Sequence, residues 1–199
     1  MATVKAFNKW STEGIEVKDE GLKRYICLDP TIVPRTGAKY AGQRFHKSNV
    51  FIVERLINRV MVPGHRGKKH KLTSGHCTGK ALNAYRIVEK ALEYIEKKTG
   101  KNPIEVLVRA IENAATREEI VTIEYGGARY PKAVECSPQR RVDLVLRYFV
   151  HGAYDRSFKS KVSAEQALAE EILAAYEGSP KSAAVSKKRE LERQADASR

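Results

Sequence analysis

Two adjacent glycines divide the one stretch of this chain that alternates like a β-strand. Residues 120–125 place apolar side chains at every second position, Gly126-Gly127 follows, and residues 128–134 return to an extended pattern. Two glycines between such segments predict a two-residue β-hairpin turn. Counting outwards from the turn gives three facing pairs: Tyr125 with Ala128, Glu124 with Arg129, and Ile123 with Tyr130.

The predicted hairpin has no obvious third strand to pair with. Pro131 cannot donate a ladder hydrogen bond, and no second strand signal lies nearby in the sequence. An isolated two-stranded ribbon needs a body to rest on. We therefore expect an arm at about 117–136 that projects from a helical domain.

Six segments after residue 47 have the three-and-four spacing and the cap signals of helices. They begin at or near Ser48, Gly79, Asn102, Ser137, Ser163 and Ser182. The predicted fold is mainly α: a six-helix bundle-like domain over 48–199 with a protruding two-stranded β-hairpin, preceded by an irregular extension over 1–47. In the extension, Trp10 and residues 25–28 are candidates for docking onto the body, and a partly disordered tail is the alternative.

The first two helices carry specific expectations about which side chains are buried. Ser48 is predicted to cap the first helix, and Glu54 and Arg55 are predicted to face solvent. The second helix, from about Gly79 to Lys98, is predicted to bury a stripe that includes Leu82.

Positive charge is large and unevenly distributed. The chain carries 37 Lys and Arg against 24 Asp and Glu, a net charge of +13, which indicates a polyanionic partner. Residues 64–80 contain no acid, so we expect this loop to follow a phosphate backbone. The candidate phosphate ligands in and beside it are Arg66, Lys68, Lys69, His70, Lys71 and Lys80.

Two further basic groups are candidates for RNA contact. Arg140 and Arg141 lie in the first turn of a predicted helix, where positive charge is electrostatically disfavoured. This suggests an external anion such as phosphate, and solvated arginines are the equally open alternative. Lys187, Lys188 and Arg189 form the second group, in a mixed-charge segment that is equally typical of a solvated surface helix.

More specific chemical interpretations of the sequence do not match the residue spacings that they require. The segment 75–81 resembles a nucleotide-binding loop, but it lacks one residue between its glycines and the Ser or Thr after its lysine. The set His65, His70, His76 and Cys77 matches no zinc-finger spacing, and no nucleophile or general base stands out. We expect no catalytic residues, no metal, no cofactor and no enzymatic activity.

Cysteine usage and hydropathy bear on the compartment. Three cysteines, Cys27, Cys77 and Cys136, without a CxxC pair suit a reducing environment. We find neither an apolar run long enough for a membrane span nor a signal-peptide core, so a cytoplasmic protein with no membrane partner is expected.

The chain resembles the small-subunit ribosomal protein seven family in its archaeal or eukaryotic form, from about residue 48 to 199. The motifs that carry the likeness are Ile57-Asn58-Arg59-Val60-Met61-Val62, Leu107-Val108-Arg109-Ala110-Ile111-Glu112-Asn113-Ala114, Gly126-Gly127-Ala128-Arg129-Tyr130, Arg140-Arg141, and Val185-Ser186-Lys187-Lys188-Arg189-Glu190. Residues 1–47 and the loop at 63–78 exceed the bacterial pattern, but the longer archaeal and eukaryotic form covers both.

The resemblance implies a structural component of the small ribosomal subunit. It implies binding to the 3′ major (head) domain of small-subunit ribosomal RNA, a part in head assembly, and a hairpin tip near the exit-site tRNA and the mRNA path. That tip is Tyr125, Gly126, Gly127, Ala128, Arg129 and Tyr130. Implied neighbours are platform protein eleven and head proteins nine and thirteen.

Two alternatives from other classes stay open on the sequence. A general DNA- and RNA-binding protein without ribosomal specificity would share the basic charge. A zinc-dependent hydrolase would need bound metal.

Overall fold

The computed structural model of the chain describes residues 4–66 and 75–199, and its helices and hairpin follow one another along the chain. They are α1 Glu20–Lys23, a 3₁₀ turn His46–Asn49, α2 Ile52–Val60, α3 Ala81–Thr99, α4 Pro103–Ala114, β1 Glu118–Tyr125, β2 Ala128–Glu135, α5 Pro138–Ser157, α6 Ala164–Tyr176 and α7 Ala183–Asp196. The mainly α fold with a two-stranded hairpin is confirmed. In the described ranges, six of the helices follow residue 48.

Local cap signals fix most of the helix ends where they were predicted. Asn102 Oδ1 accepts the N–H of Ile104 at 3.0 Å, and Ser163 and Ser182 cap α6 and α7 in the same way. Gly100, with φ +65°, ends α3 in the left-handed conformation that favours glycine. These helices therefore begin and end on signals that a short sequence window contains.

The start of α2 differs from the prediction. The helix begins at Ile52 rather than next to Ser48, which lies in the 3₁₀ turn. The cause is a contact with the N-terminal segment: Phe51 is held extended in a bridge to Cys27, and the N–H of Ile52 donates to the Cys27 carbonyl at 3.0 Å. The Cys27 carbonyl, which is distant in sequence, thus accepts a hydrogen bond at the start of α2 in place of the Ser48 side chain.

The prediction that Glu54 and Arg55 face solvent is wrong. Their exposed fractions are 1% and 6%. The N-terminal extension covers this face of α2, since Glu54 Oε1 accepts the N–H of Thr36 at 2.7 Å and Arg55 donates to the carbonyl of Tyr25 at 2.7 Å. Arg55 also pairs with Asp143 of α5 at 2.9 Å. These hydrogen bonds offset part of the cost of burying the two side chains, although Glu54 Oε2 has no partner within the described residues.

The apolar core lies between α2 and the longer helices and is continuous with the N-terminal extension. Ala6, Trp10, Leu22 and Ile26 belong to the same buried cluster as the helical body. Most of the predicted stripe of α3 is buried, but Leu82 in its first turn is 62% exposed, which corrects that prediction. The domain boundary after residue 47 stays a prediction, although part of the extension is packed into the body.

A buried carboxylate joins α5, α6 and α7. Glu171 of α6 is 1% exposed, and its Oε1 accepts from Ser182 Oγ at 2.7 Å and from the N–H of Ala184 at 3.2 Å, at the start of α7. Gly152 of α5 lies so close that a Cβ atom there would be 2.9 Å from the Glu171 carboxyl. Burial raises the pKa of Glu171, and the hydrogen bonds oppose that rise.

The hairpin has the predicted register. Tyr125 faces Ala128, Glu124 faces Arg129 and Ile123 faces Tyr130. Gly126 and Gly127 form the turn with φ +59° and +81°, the positive values that a hairpin turn of this type requires. The outer half of both strands is exposed, and in the described parts of the chain β1 and β2 form the one sheet. It is therefore an arm outside the core.

None of the helices in the described ranges is both long enough and apolar enough to cross a membrane.

Candidate nucleic-acid interface

The predicted basic loop leaves and rejoins the body at one narrow point. The N–H of Gly64 donates to the His76 carbonyl at 2.9 Å, and a Cβ at Gly64 would be 2.2 Å from the His76 nitrogen, so only glycine fits. The predicted RNA contacts Lys68, Lys69, His70 and Lys71 lie outside the described residues. Lys80, at the N-cap of α3, is exposed.

Arg66 anchors the neck of this loop to α5. Its guanidinium donates to both oxygens of Asp155, at 3.0 and 2.5 Å, and to the His151 carbonyl at 3.3 Å. The side chain is 18% exposed. Burial, helped by the charges of Arg66 and Arg59, lowers the pKa of His151 to about 4, so this imidazole is neutral at pH 7.

The two arginines in the first turn of α5 have carboxylate partners within the chain. Arg140 forms a bidentate pair with Glu119 of β1, with Nε and Nη2 at 2.6 and 2.7 Å from its oxygens. Arg141 donates to Asp19 Oδ2 at 2.9 Å and is 12% exposed. These carboxylates supply the negative charge that the sequence argument assigned to an external anion. Arg140, 50% exposed, is the more accessible of the two.

The basic group on α7 is also partly tied to the body. Lys187 pairs with Glu190 at 2.6 Å, Lys188 donates to the Asn113 carbonyl at 2.8 Å, and Arg189 donates to the Gly178 carbonyl at 3.1 Å. Burial lowers the pKa of Lys188, and the nearby charges of Arg117 and Arg141 act in the same direction. The structure thus brings Lys188 and Arg141 together.

The base of the hairpin is fixed by charge pairs, whereas its tip is not. Arg199 contacts both oxygens of Glu118 at 2.6 Å, and Glu192 accepts the N–H of Arg117 at 3.1 Å. Next to Glu119, burial raises the pKa of the Cys136 thiol to about 11, so it stays protonated.

The residues of the tip lie open to solvent. Tyr125 is 82% exposed and Tyr130 is 57% exposed. Within the described residues, Arg129 has only the exposed Glu124 as an ion-pair partner, at 3.5 Å. A small, exposed tip with two aromatic rings can stack on bases or pack on a neighbouring surface.

Sequence analysis missed a basic cleft between the N-terminal extension, α2 and α5. Its volume is about 430 Å³, and its charged lining is Lys47, Arg55, Arg59, Asp143 and Arg147. A signal existed: Asp143 and Arg147 are four residues apart, so they lie on one face of α5. The cleft forms only because α2 packs against that face of α5, and the sequence alone does not show this packing.

The described residues offer no constellation for catalysis or metal binding. No group of three or more His, Cys, Asp or Glu side chains in 4–66 and 75–199 is placed to hold a metal ion. His70, one member of the set considered for zinc, lies outside these ranges. All three cysteines are free thiols.

A basic helical body with an exposed, aromatic hairpin tip is typical of a structural nucleic-acid-binding protein. Residues 22–199 match the family described as Ribosomal protein S7p/S5e. The chain belongs to this family.

Two archaeal relatives match almost the whole chain. It is 54% identical over 196 residues to the small ribosomal subunit protein uS7 of Nanoarchaeum equitans, covering 98% of this chain and 99% of that protein. It is 49% identical over 193 residues to the small ribosomal subunit protein uS7 of Archaeoglobus fulgidus, covering 97% and 94%. The family comprises structural, non-enzymatic ribosomal proteins, and the chain is a ribosomal protein of this kind.

Proposed function

We propose that this chain binds the 3′ major domain of small-subunit ribosomal RNA and helps to nucleate assembly of the subunit head. In the assembled cytoplasmic subunit, its neighbours would be platform protein eleven and head proteins nine and thirteen. The hairpin tip, residues 125–130, would lie near the exit-site tRNA and the mRNA path. The observation that carries the proposal is the likeness to two small-subunit proteins over nearly their whole length.

The charge of the body supports RNA as the partner. Lys80, Arg140, Lys187 and Arg189 present accessible cations on three helices, α3, α5 and α7, and the sequence between Gly64 and His76 contains further cations. Folded RNA is recognised through its backbone and through unstacked junctions rather than through a base code, and dispersed cations suit that mode. Arg66, Arg141 and Lys188 contribute mainly by fixing the elements that carry the accessible cations.

A division of work between body and arm follows from their exposure. The tip side chains do not contribute to the core, so their loss leaves the body intact. They are free to contact the other RNAs that pass the head. The body then supplies affinity for ribosomal RNA, and the tip acts on tRNA and mRNA.

A salt series tests the proposal. The purified protein is titrated with a transcript of the 3′ major domain, a shuffled RNA and duplex DNA of equal length. If it neutralises about 6–10 phosphates, its affinity for the transcript falls by roughly 10³–10⁵ between 50 and 200 mM salt. We expect the transcript to be bound selectively in the presence of competitor.

Two outcomes would count against the proposal. Equal binding to all three polymers would favour a general nucleic-acid-binding protein. A flat salt response would contradict the electrostatic mechanism itself.

A further inference from the structure

The basic cleft between α2 and α5 contains cations that the chain does not neutralise. Four of its lining side chains are positive, Lys47, Arg55, Arg59 and Arg147, against the single carboxylate of Asp143. Lys47 and Arg55 both contact Asp143, and Arg55 is further held by the carbonyl of Tyr25. The one acid therefore makes its direct contacts with two of the four cations.

The other two cations, Arg59 and Arg147, repel each other, and the attraction of Asp143 for Arg59 offsets this repulsion only in part. Arg59 Nε is buried and has no hydrogen-bond partner within the described residues. Burial is the largest cause of the lowered pKa of Arg59, and the charge of Arg147 is the next. Arg147 is exposed and has no ion-pair partner in the part of the chain that the structure describes. A buried donor without a partner costs free energy unless a ligand accepts from it.

We propose that this cleft is a binding site for one backbone phosphate of RNA, which Arg59 and Arg147 hold between them. The inference rests on the proposed function and assigns it a specific contact. The two non-bridging oxygens of a phosphodiester match the paired N–H groups of guanidinium donors, and the phosphate neutralises the repulsion between the two arginines.

The rest of the cleft suits the nucleotide that carries the phosphate. Its apolar lining includes Val50 and Leu146, beside the ring of Tyr40. A volume of about 430 Å³ exceeds what a bare anion needs. The lining of the cleft thus combines cations for the phosphate with apolar side chains against which a ribose can pack.

The test compares variants that remove one positive charge with a variant that keeps the charge. Arg59→Gln and Arg147→Gln remove a cleft cation, Arg59→Lys keeps the charge but not the fork of donors, and Arg86→Gln is the matched control on the exposed surface of α3. We expect each cleft variant to weaken binding of the 3′ major domain transcript about tenfold. Arg86→Gln should change it less than twofold.

Two arginines that share one phosphate should also be coupled. The double variant should lose less than the product of the two single losses, and its salt dependence should fall by roughly one counterion. Ethylation interference, which neutralises single phosphates of the transcript, should then find one phosphate whose ethylation blocks the wild-type protein but no longer affects the double variant.

The outcomes separate this inference from the proposed function. If the wild-type protein does not select the transcript, the proposed function fails. If it does, but Arg147→Gln binds as well as Arg86→Gln or no interfering phosphate is lost in the double variant, the cleft is not a phosphate site. Arg147 is exposed, so this variant keeps the test valid even if Arg59→Gln disturbs folding.

Discussion

The helical body and the hairpin arm are held together by different interactions. In the body, charged side chains such as Glu54, Arg55 and Glu171 are buried, and each has a hydrogen-bond partner on another element. In the arm, the strands are joined by backbone pairing, and the side chains of the outer half are exposed. The charged side chains of the body are thus used in internal contacts, whereas the side chains of the tip are available to contact another molecule.

The same contrast exists among the cations. Arg141 is mostly buried and pairs with Asp19, but Arg147, less than two turns further along α5, is exposed and unpaired within the described ranges. Buried cations with partners belong to the fold, and cations that are accessible or lack a partner are those we assign to RNA. Each prediction below tests one part of this contrast.

The largest effect is expected at the buried carboxylate of the body. Glu171→Leu leaves Ser182 Oγ and the N–H of Ala184 without their acceptor, so we expect the free energy of unfolding to fall by about 2–4 kcal/mol. Urea unfolding measures it, with Glu177→Gln at the exposed end of α6 as control. A loss no larger than that of the control would contradict a structural role for the carboxylate.

The variant Glu171→Gln tests the role of this carboxylate through the pH dependence of stability. Because burial raises the pKa of Glu171, the stability linked to its protonation is complete below the ordinary glutamate pKa of about 4.3 and is lost as pH rises through the folded value. A glutamine does not titrate, so the variant should gain stability relative to the wild type between pH 4 and pH 7. Urea unfolding at both pH values checks this, and an unchanged difference would argue against the raised pKa.

A smaller effect is expected from the partnered arginine of α5. Arg141→Met removes the pair with Asp19, which is itself partly exposed, and should lower the free energy of unfolding by about 1–2 kcal/mol. Arg147→Met, on the same helix, should stay within about 0.5 kcal/mol. If both variants lost the same stability, the distinction between the two kinds of cation would collapse.

The junction of body and arm should matter less still. Arg140 is half exposed, so Arg140→Gln should cost under about 1 kcal/mol at pH 7. The hydrogen bond from Arg140 lowers the pKa of Glu119, so this contribution is present above about pH 4.3 and disappears as pH falls further. The stability difference between this variant and the wild type should therefore be smaller at pH 3 than at pH 7, with Arg129→Gln at the tip as the inert control.

The smallest effect on stability is expected from shortening the arm. Removing residues 122–125 and 128–131 leaves Gly126-Gly127 between Val121 and Lys132, which already face each other. An even number of residues per strand preserves the alternation of hydrogen-bonded pairs. The free energy of unfolding should change by no more than about 0.5 kcal/mol, and a loss above 2 kcal/mol would mean that the tip supports the body.

The parts of the fold that the sequence predicted correctly depend on short-range rules. The Gly-Gly turn sets the hairpin register, and a cap such as Asn102 acts on a residue two positions away. Burial of Glu54 and Arg55 could not be predicted in this way, because their partners Thr36 and Asp143 lie 18 and 88 positions away. Periodicity identifies one apolar face of a helix but does not show that another segment covers its polar face.

The same limit applies to the candidate site. Charge density pointed to the loop 64–80 and to Arg140-Arg141, but the partner of Arg141 lies 122 positions away. The cleft around Arg59 and Arg147 depends on how α2 packs against α5, and a single sequence contains no local pattern for that. Composition predicts that a polyanion binds, and packing determines which cations remain available to it.

The affinity of the hairpin-shortened protein for the 3′ major domain transcript tests the separation of body and arm most directly. Wild-type and shortened proteins are titrated at several salt concentrations with the same RNA. We expect dissociation constants within about twofold and parallel salt dependences, since removing residues 122–125 and 128–131 takes away one arginine and no cation of the body. A loss of tenfold or more in a protein that still folds would place ribosomal RNA binding in the arm and contradict the account.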